Sequence, residues 1–187
     1  MRIIGGKYRG RRLTGKAPDG VRPTTDMARE SVFNILENLL DFEGIKVLDL
    51  FAGTGALGFE ALSRGAETCV FVEKNRRTSA TISQNADTLG LTKNDFQVIN
   101  ADAAKAVTSI INANGLAPFG LAFLDPPYQQ GINNRIIELL AANSILSQEG
   151  IIVSEQSSLQ SLLLPAGIEL LKEKVFGETR VSIMRVI

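Results

Sequence analysis

The chain of 187 residues contains no histidine, no tryptophan and a single cysteine, Cys69. Without histidine there is no Ser-His-Asp triad, no imidazole metal ligand and no imidazole general base. One cysteine excludes a disulfide framework and a cysteine zinc site, and Cys69 sits in an apolar strand-like run that suits a reduced core residue. No apolar run approaches the ~20 residues of a membrane-spanning helix. The first residues lack the continuous apolar stretch of a secretory signal, so a cytoplasmic protein with no membrane partner is expected. Net charge is also lacking, with 20 basic and 20 acidic side chains. Any chemistry must therefore rest on carboxylates, backbone groups and a cofactor, with no metal.

What charge there is, is unevenly spread. The first sixteen residues carry Arg2, Lys7, Arg9, Arg11, Arg12 and Lys16 and no acid. That asymmetry suits an anionic partner, and equally a solvated basic terminus. Residues 2–4 and 11–13 flank a Gly-rich turn and predict a small hairpin. Residues 18–23 read as a loop. Thr24, Thr25 or Asp26 can cap a helix running to about Leu40, with Val32, Phe33, Leu36, Leu39 and Leu40 at helical spacing. Gly44 marks the expected boundary between an extension (1–43) and a main domain (44–187).

From Lys46 the pattern alternates. Strands are predicted at 47–51, 68–72, 96–99, 121–124 and 151–154. Helices are predicted at 56–64, 76–89, 103–112 and 133–142. Such alternation predicts an α/β fold, a mostly parallel sheet with helices on both faces. Residues 169–176 and 179–186 predict an antiparallel pair of strands added at one edge.

Two strand ends carry chemistry. Gly53-Thr54-Gly55-Ala56-Leu57-Gly58 follows the first strand, where glycines permit a tight turn and close approach to a ligand. With Glu73 about twenty residues on, it fits the dinucleotide fingerprint and leaves nicotinamide and S-adenosylmethionine both open. Asp49, just ahead of the glycines, would repel a pyrophosphate and suits the ammonium of a methionine moiety. Glu73 can accept ribose hydroxyls, and Asp102 an adenine amino group. Asp49 and Asp102 are also plausible helix caps. The second strand end is Asp125-Pro126-Pro127-Tyr128. Two prolines fix the backbone and remove two donors, leaving carbonyl acceptors. Asp125 and the Pro126 carbonyl can each accept one hydrogen of a planar amine, and Tyr128 can stack on its ring. A base would have to leave its stack to reach such a pocket.

Together these elements resemble the Rossmann-like, class I S-adenosylmethionine methyltransferases, and Asp-Pro-Pro-Tyr resembles those acting on base amines or glutamine amide. The segments 2–13, Arg22 to Asn34 and Leu48 to Gly65 narrow the resemblance to the RsmD family, across essentially the whole chain. That resemblance implies a seven-stranded sheet and methylation of guanine N2 in 16S ribosomal RNA, with naked RNA and the assembled small subunit both open as the substrate form. It implies cofactor contacts at Asp49, Phe51, Gly53, Gly55, Glu73 and Asp102. It implies catalytic roles for Asp125, Pro126, Pro127 and Tyr128. The RNA-facing set is Arg2, Lys7, Arg9, Arg11, Arg12, Arg22 and Arg29. Asn75 stands where the family often has aspartate, and Tyr128 where phenylalanine is frequent. Competing readings are an amino-methyltransferase acting on DNA adenine or protein glutamine, a non-catalytic RNA-binding assembly factor, and a nicotinamide oxidoreductase. A monomer is the default expectation.

Overall fold

The computed structural model describes residues 1–15, 26–112, 118–127 and 131–187. After a 3-10 turn at Gly6–Tyr8 come α1 (Asp26–Leu36), β1 (Lys46–Asp49), α2 (Ala56–Ser63), β2 (Thr68–Val72), α3 (Arg76–Leu89) and β3 (Phe96–Ile99). Then follow α4 (Ala103–Asn112), β4 (Phe119–Leu124), α5 (Ile132–Ala142), β5 (Leu146–Ser157), β6 (Ile168–Phe176) and β7 (Thr179–Val186). The seven strands form one sheet in the order β3-β2-β1-β4-β5-β7-β6. The first five are parallel; β7 runs antiparallel to both β5 and β6.

Parallel strands buried on both faces read as apolar runs, which is how β1, β2 and β4 are written. Alternate residues feed two cores. Val47, Phe71, Phe123 and Val153 face one layer with Val32, Phe33, Leu36 and Phe59; Leu48, Val70, Ala122 and Ile152 face the other with Val107, Ile110, Ile136 and Leu140. Cys69 is a buried member of the first. The amino-terminal segment joins this layer too, through Ile3, Leu13 and Phe42.

The expected hairpin is a single antiparallel bridge, Arg2 with Arg12, around the 3-10 turn. α1 ends earlier than its apolar spacing suggests. Asn38 N and Leu39 N donate to Ile35 O and Leu36 O, tightening the last turn, and Leu39 is left exposed. β5 is longer than its apolar core because it pairs with Phe119 at its start and with β7 out to Ser157. The last turn of the predicted helix 56–64 is a C-cap at Arg64.

After β1 the chain builds outward through β2 and β3, then returns to place β4 on the other side of β1. The crevice between β1 and β4, at the carboxyl ends of the strands, is therefore the topological switch point where open α/β sheets bind ligands.

Candidate active site

Among the described residues, five acids stand at that edge, one per strand end. In spatial order they are Asp102 after β3, Glu73 after β2, Asp49 on β1, Asp125 after β4 and Glu155 near the end of β5. The glycine loop and the Asp125-Pro126-Pro127 turn face each other across the switch point, since Asp49 pairs with Phe123.

The loop's shape follows from its glycines. Gly53 and Gly55 have φ of +54° and +87°, and open space surrounds the position of a Cβ on Gly53. Gly58 matters for packing instead. A Cβ there would meet the Phe71 ring at 2.3 Å and Cys69 Sγ at 2.6 Å, so its absence lets α2 lie close on β2. Asp49 is 1% exposed, and its Oδ2 accepts the Gly58 N–H at 3.1 Å. The carboxylate thus caps α2 from below, one of the two roles its position in the sequence allows. Burial, reinforced by the charge of Glu73 and opposed by the Gly58 hydrogen bond, raises its pKa from 3.8 to about 7.

Glu73 holds the loop in place. Its Oε2 accepts from Gly53 N at 2.9 Å and its Oε1 from Asn75 N at 2.7 Å. Asn75 caps α3 by accepting from Arg77 N and Thr78 N, so the departure from aspartate retains a capping side chain. Asp102 accepts from Ala104 N at 3.1 Å, a helix-cap geometry at the start of α4. Phe51 is half-buried against the second core.

Asp125 and Pro126 are half-buried and Pro127 is exposed; Tyr128 lies outside the described residues. Burial and the neighbouring charges of Glu155 and Asp49 hold the Asp125 carboxyl well above the ordinary carboxylate range. Among the described residues, no ion pair involves Asp49 or Asp125. Buried negative groups of this kind call for donors or positive charge from a ligand. An open cradle beside a buried acid fits a ligand that carries an ammonium group, whereas a pyrophosphate would meet repulsion there.

The basic segment lies along α2. Ile4 N and Gly5 N donate to the Glu60 carboxylate, each at 2.8 Å, and Tyr8 N donates to Ser63 Oγ at 2.9 Å. Further on, Asn85 accepts from Thr14 N at 2.7 Å and donates to Thr14 O and Thr54 O. The strap therefore runs from the far end of α2 up to the glycine loop. Arg2, Lys7, Arg9, Arg11 and Arg12 are exposed along it, with Arg2 paired to Asp26 and Lys7 over the Tyr8 ring. Arg22 and Lys16 fall outside the described residues, as do Thr24 and Thr25. Arg29 departs from the expected RNA-facing set. It is 2% exposed and donates to Arg2 O at 2.6 Å and Asp26 Oδ1 at 3.0 Å, so it ties α1 to the strap from inside.

Glu155, Asn85 and Asn133 were not marked by the sequence. Glu155 carried the one available signal, an acid at the end of an apolar strand. The two asparagines lie in helices and become polar partners only when other elements reach them.

The fold is the Rossmann-like fold of S-adenosylmethionine-dependent methyltransferases. The enzyme of that class from Agrobacterium tumefaciens superposes with a TM-score of 0.62 at 20% identity, over 89% of this chain and 63% of that one. A family model, Conserved hypothetical protein 95, matches residues 1–185, and the chain belongs to that family, the RsmD family. The ribosomal RNA small subunit methyltransferase D of Escherichia coli is 38% identical over 95% of this chain and 86% of its own length. YlbH of Bacillus subtilis is 38% identical over 99% and 98%. The solved structure of yhhF from Escherichia coli superposes with a TM-score of 0.82 at 35% identity, covering 100% of this chain and 97% of that one.

Proposed function

We propose that this protein methylates small-subunit ribosomal RNA with S-adenosylmethionine as donor, at the exocyclic N2 amine of a guanine in 16S RNA. The observation that supports it best is the Asp125-Pro126-Pro127 turn set across the switch point from Asp49 and the glycine loop, in a chain of this family. When bound, S-adenosylmethionine supplies an electrophilic sulfonium methyl group.

The residues then divide the work. Asp49 receives the methionine ammonium, which favours its ionised form. Glu73 receives the ribose hydroxyls while it keeps the loop closed through Gly53. Gly53 and Gly55 admit the ligand to the backbone, Phe51 packs beside it, and Asp102 accepts from the adenine amino group. The target guanine leaves its stack and enters beside Asp125. Asp125 and the Pro126 carbonyl accept the two amine hydrogens, which localises the nitrogen lone pair and aims it. Pro127 stiffens the turn and Tyr128 stacks on the base. Methyl transfer to this nitrogen would leave the carbon–sulfur bonding pair with the donor. The surplus amine proton passes to Asp125, whose raised proton affinity suits it to receive one. Most of the rate then comes from positioning and preorganised charge.

Arg2, Lys7, Arg9, Arg11 and Arg12 on the strap, with Arg22, contact the RNA backbone. Arg29 serves that surface indirectly, by holding Arg2. No helix among the described residues is long and apolar enough to cross a membrane. The protein acts as a cytoplasmic monomer.

The test is transfer of labelled methyl from S-adenosylmethionine to small subunits and to naked ribosomal RNA, with the modified nucleoside identified by mass spectrometry. N2-methylguanosine is expected. Label in duplex DNA or protein glutamine with RNA inert would overturn the reading, as would RNA binding without any transfer.

A further inference from the structure

An arginine on a folded protein is tied into an ion pair or left to water and to partners. Among the described residues, the arginines outside any ion pair are Arg9, Arg11, Arg12, Arg76, Arg77 and Arg135. The first three belong to the strap. Arg135 lies on α5, which packs on the other face of the sheet. Arg76 and Arg77 open α3 directly after β2, and with Lys74 they form an exposed basic cluster at the carboxyl edge.

Local structure gives no reason for that cluster. The first turn of a helix favours acids, yet that of α3 has none. Glu73, next to Lys74 in sequence, is engaged elsewhere, since its carboxylate accepts from Gly53 N and Asn75 N. The main chain under the cluster is fixed as well. Asn100 Nδ2 donates to Glu73 O at 2.7 Å and to Lys74 O at 3.0 Å. Three like charges on a fixed main chain, without an acid to offset them, suit an anionic partner.

The strap leads to the same place. Thr14 is bound by Asn85, and a Cβ on Gly15 would lie 2.9 Å from Thr81 Cγ2. Successive strap residues thus meet α3 one turn apart, climbing toward its start. Arg77 is the next residue up that face, four positions before Thr81, and its carbonyl accepts from Thr81 Oγ1. At 1.5 Å per residue it stands about 6 Å above the point where Gly15 touches the helix.

We propose that Lys74, Arg76 and Arg77 are a second phosphate-binding patch, which continues the strap's basic track along α3 and holds the RNA backbone on the Glu73 side of the site. The inference rests on the RNA reading above and extends its contact surface to an element that the basic amino-terminal segment does not reach. RNA grips of this kind are independent of base sequence and weaken with salt, because each neutralised phosphate releases counterions.

The experiment measures affinity for small-subunit ribosomal RNA by filter binding across a salt series, in whichever form, naked or assembled, the wild-type protein methylates. R76A/R77A is expected to reduce the slope of log K against log salt by about 1.4, at roughly −0.7 per contact for single-stranded RNA. R76K/R77K keeps both charges and should restore most of it. K93A serves as the charge control, since Lys93 is also exposed but precedes β3 at the opposite edge of the sheet; it should leave the slope unchanged. Affinity for S-adenosylmethionine, measured by calorimetry, should stay within about twofold in every variant.

An R76A/R77A protein with the wild-type slope would overturn the inference. So would a K93A protein that loses as much per charge removed, because the effect would then belong to overall charge. If both RNA forms are methylated and the loss appears with assembled subunits alone, the patch meets a ribosomal protein and the RNA assignment falls. A wild-type protein that methylates no RNA ends the functional reading first, and the patch with it, an outcome visible without any variant.

Discussion

At the scale of single residues, burial is the main cause of a raised proton affinity at two carboxylates of the candidate site, Asp49 and Asp125. Asp49 is the clearest case. Its pKa lies near 7 rather than 3.8, so close to neutral pH the free protein holds a mixture of both forms. The ionised form is the one that binds an ammonium. Affinity for S-adenosylmethionine is thus expected to fall as pH drops through about 7, and Asp49→Asn should lower the affinity and flatten that dependence. Calorimetric titration between pH 5.5 and 8.5, a range spanning the shifted value by roughly 1.5 units each way, checks both. Stability has the opposite slope. Between 3.8 and about 7 the folded Asp49 binds a proton that the unfolded chain does not. Its contribution to stability is thus full at low pH and is lost as pH rises through about 7. Thermal melts of the free protein should show Asp49→Asn removing part of this slope.

Asp125 is the second residue-scale case. Asp125→Ala removes the amine acceptor and the proton's destination together. Turnover should fall by roughly 10²–10⁴-fold, the usual contribution of a positioned base. Cofactor affinity should hold within a few fold, since the proposed function assigns the donor to Asp49 and Glu73. A single-turnover methylation assay beside a binding titration separates the two, and undiminished turnover would remove Asp125 from the mechanism. The rate should also decline on acidification from a pH well above the ordinary carboxylate range, as the Asp125 carboxylate takes up a proton.

At the scale of elements, the glycine loop is held by polar contacts that come from elsewhere in the chain. Glu73 grips Gly53 from β2, and Asn85 grips Thr54 from α3 while also binding Thr14 of the strap. Asn85 is fully buried with all four polar contacts made inside the protein. Asn85→Ala would leave the Thr14 and Thr54 groups unsatisfied, at about 1–3 kcal/mol each where they stay dry. The expected result is a lower Tm together with a strap that becomes sensitive to proteolysis near Thr14; unchanged cleavage would mean the strap is held without Asn85. The contact of α2 with β2 is equally specific. Gly58→Ala forces a methyl against Phe71 and Cys69, a displacement expected to cost about 1–3 kcal/mol of stability in a denaturant titration.

At the scale of the whole molecule, zero net charge conceals a polar arrangement. The acids of the site line one edge of the sheet, and the basic strap runs up α2 to reach it. On the proposed function, RNA held along the strap would be led toward the carboxyl edge. If the five exposed basic side chains of the strap each neutralise a phosphate, log K against log salt should slope by about −3.5, at roughly −0.7 per contact for single-stranded RNA. Replacing Arg9 and Arg11 with alanine should reduce the slope by about 1.4 on the same basis without changing cofactor affinity. A slope near zero in filter-binding or anisotropy measurements would mean the strap does not read phosphates.

Much of this architecture is written locally. Apolar runs at β1, β2 and β4, caps such as Asn75 and stops such as Gly90 are decided by neighbours in sequence, so the alternating elements and the antiparallel edge follow from the chain itself. So do the acids ahead of and after the glycines, because strand ends in such a sheet converge on one edge. Burial and cross-strand register are not local quantities. Only the folded chain turns Arg29 inward, where its expected place was the RNA surface, because Asp26 and the Arg2 carbonyl meet there across a gap in sequence. Only the folded chain brings Glu155 beside Asp125, thirty positions apart, by pairing β4 with β5. Sequence by itself therefore determined the class of chemistry and the elements that carry it. Tertiary structure decided which charges are sheltered, and hence which carboxylates have proton affinities high enough to matter near neutral pH.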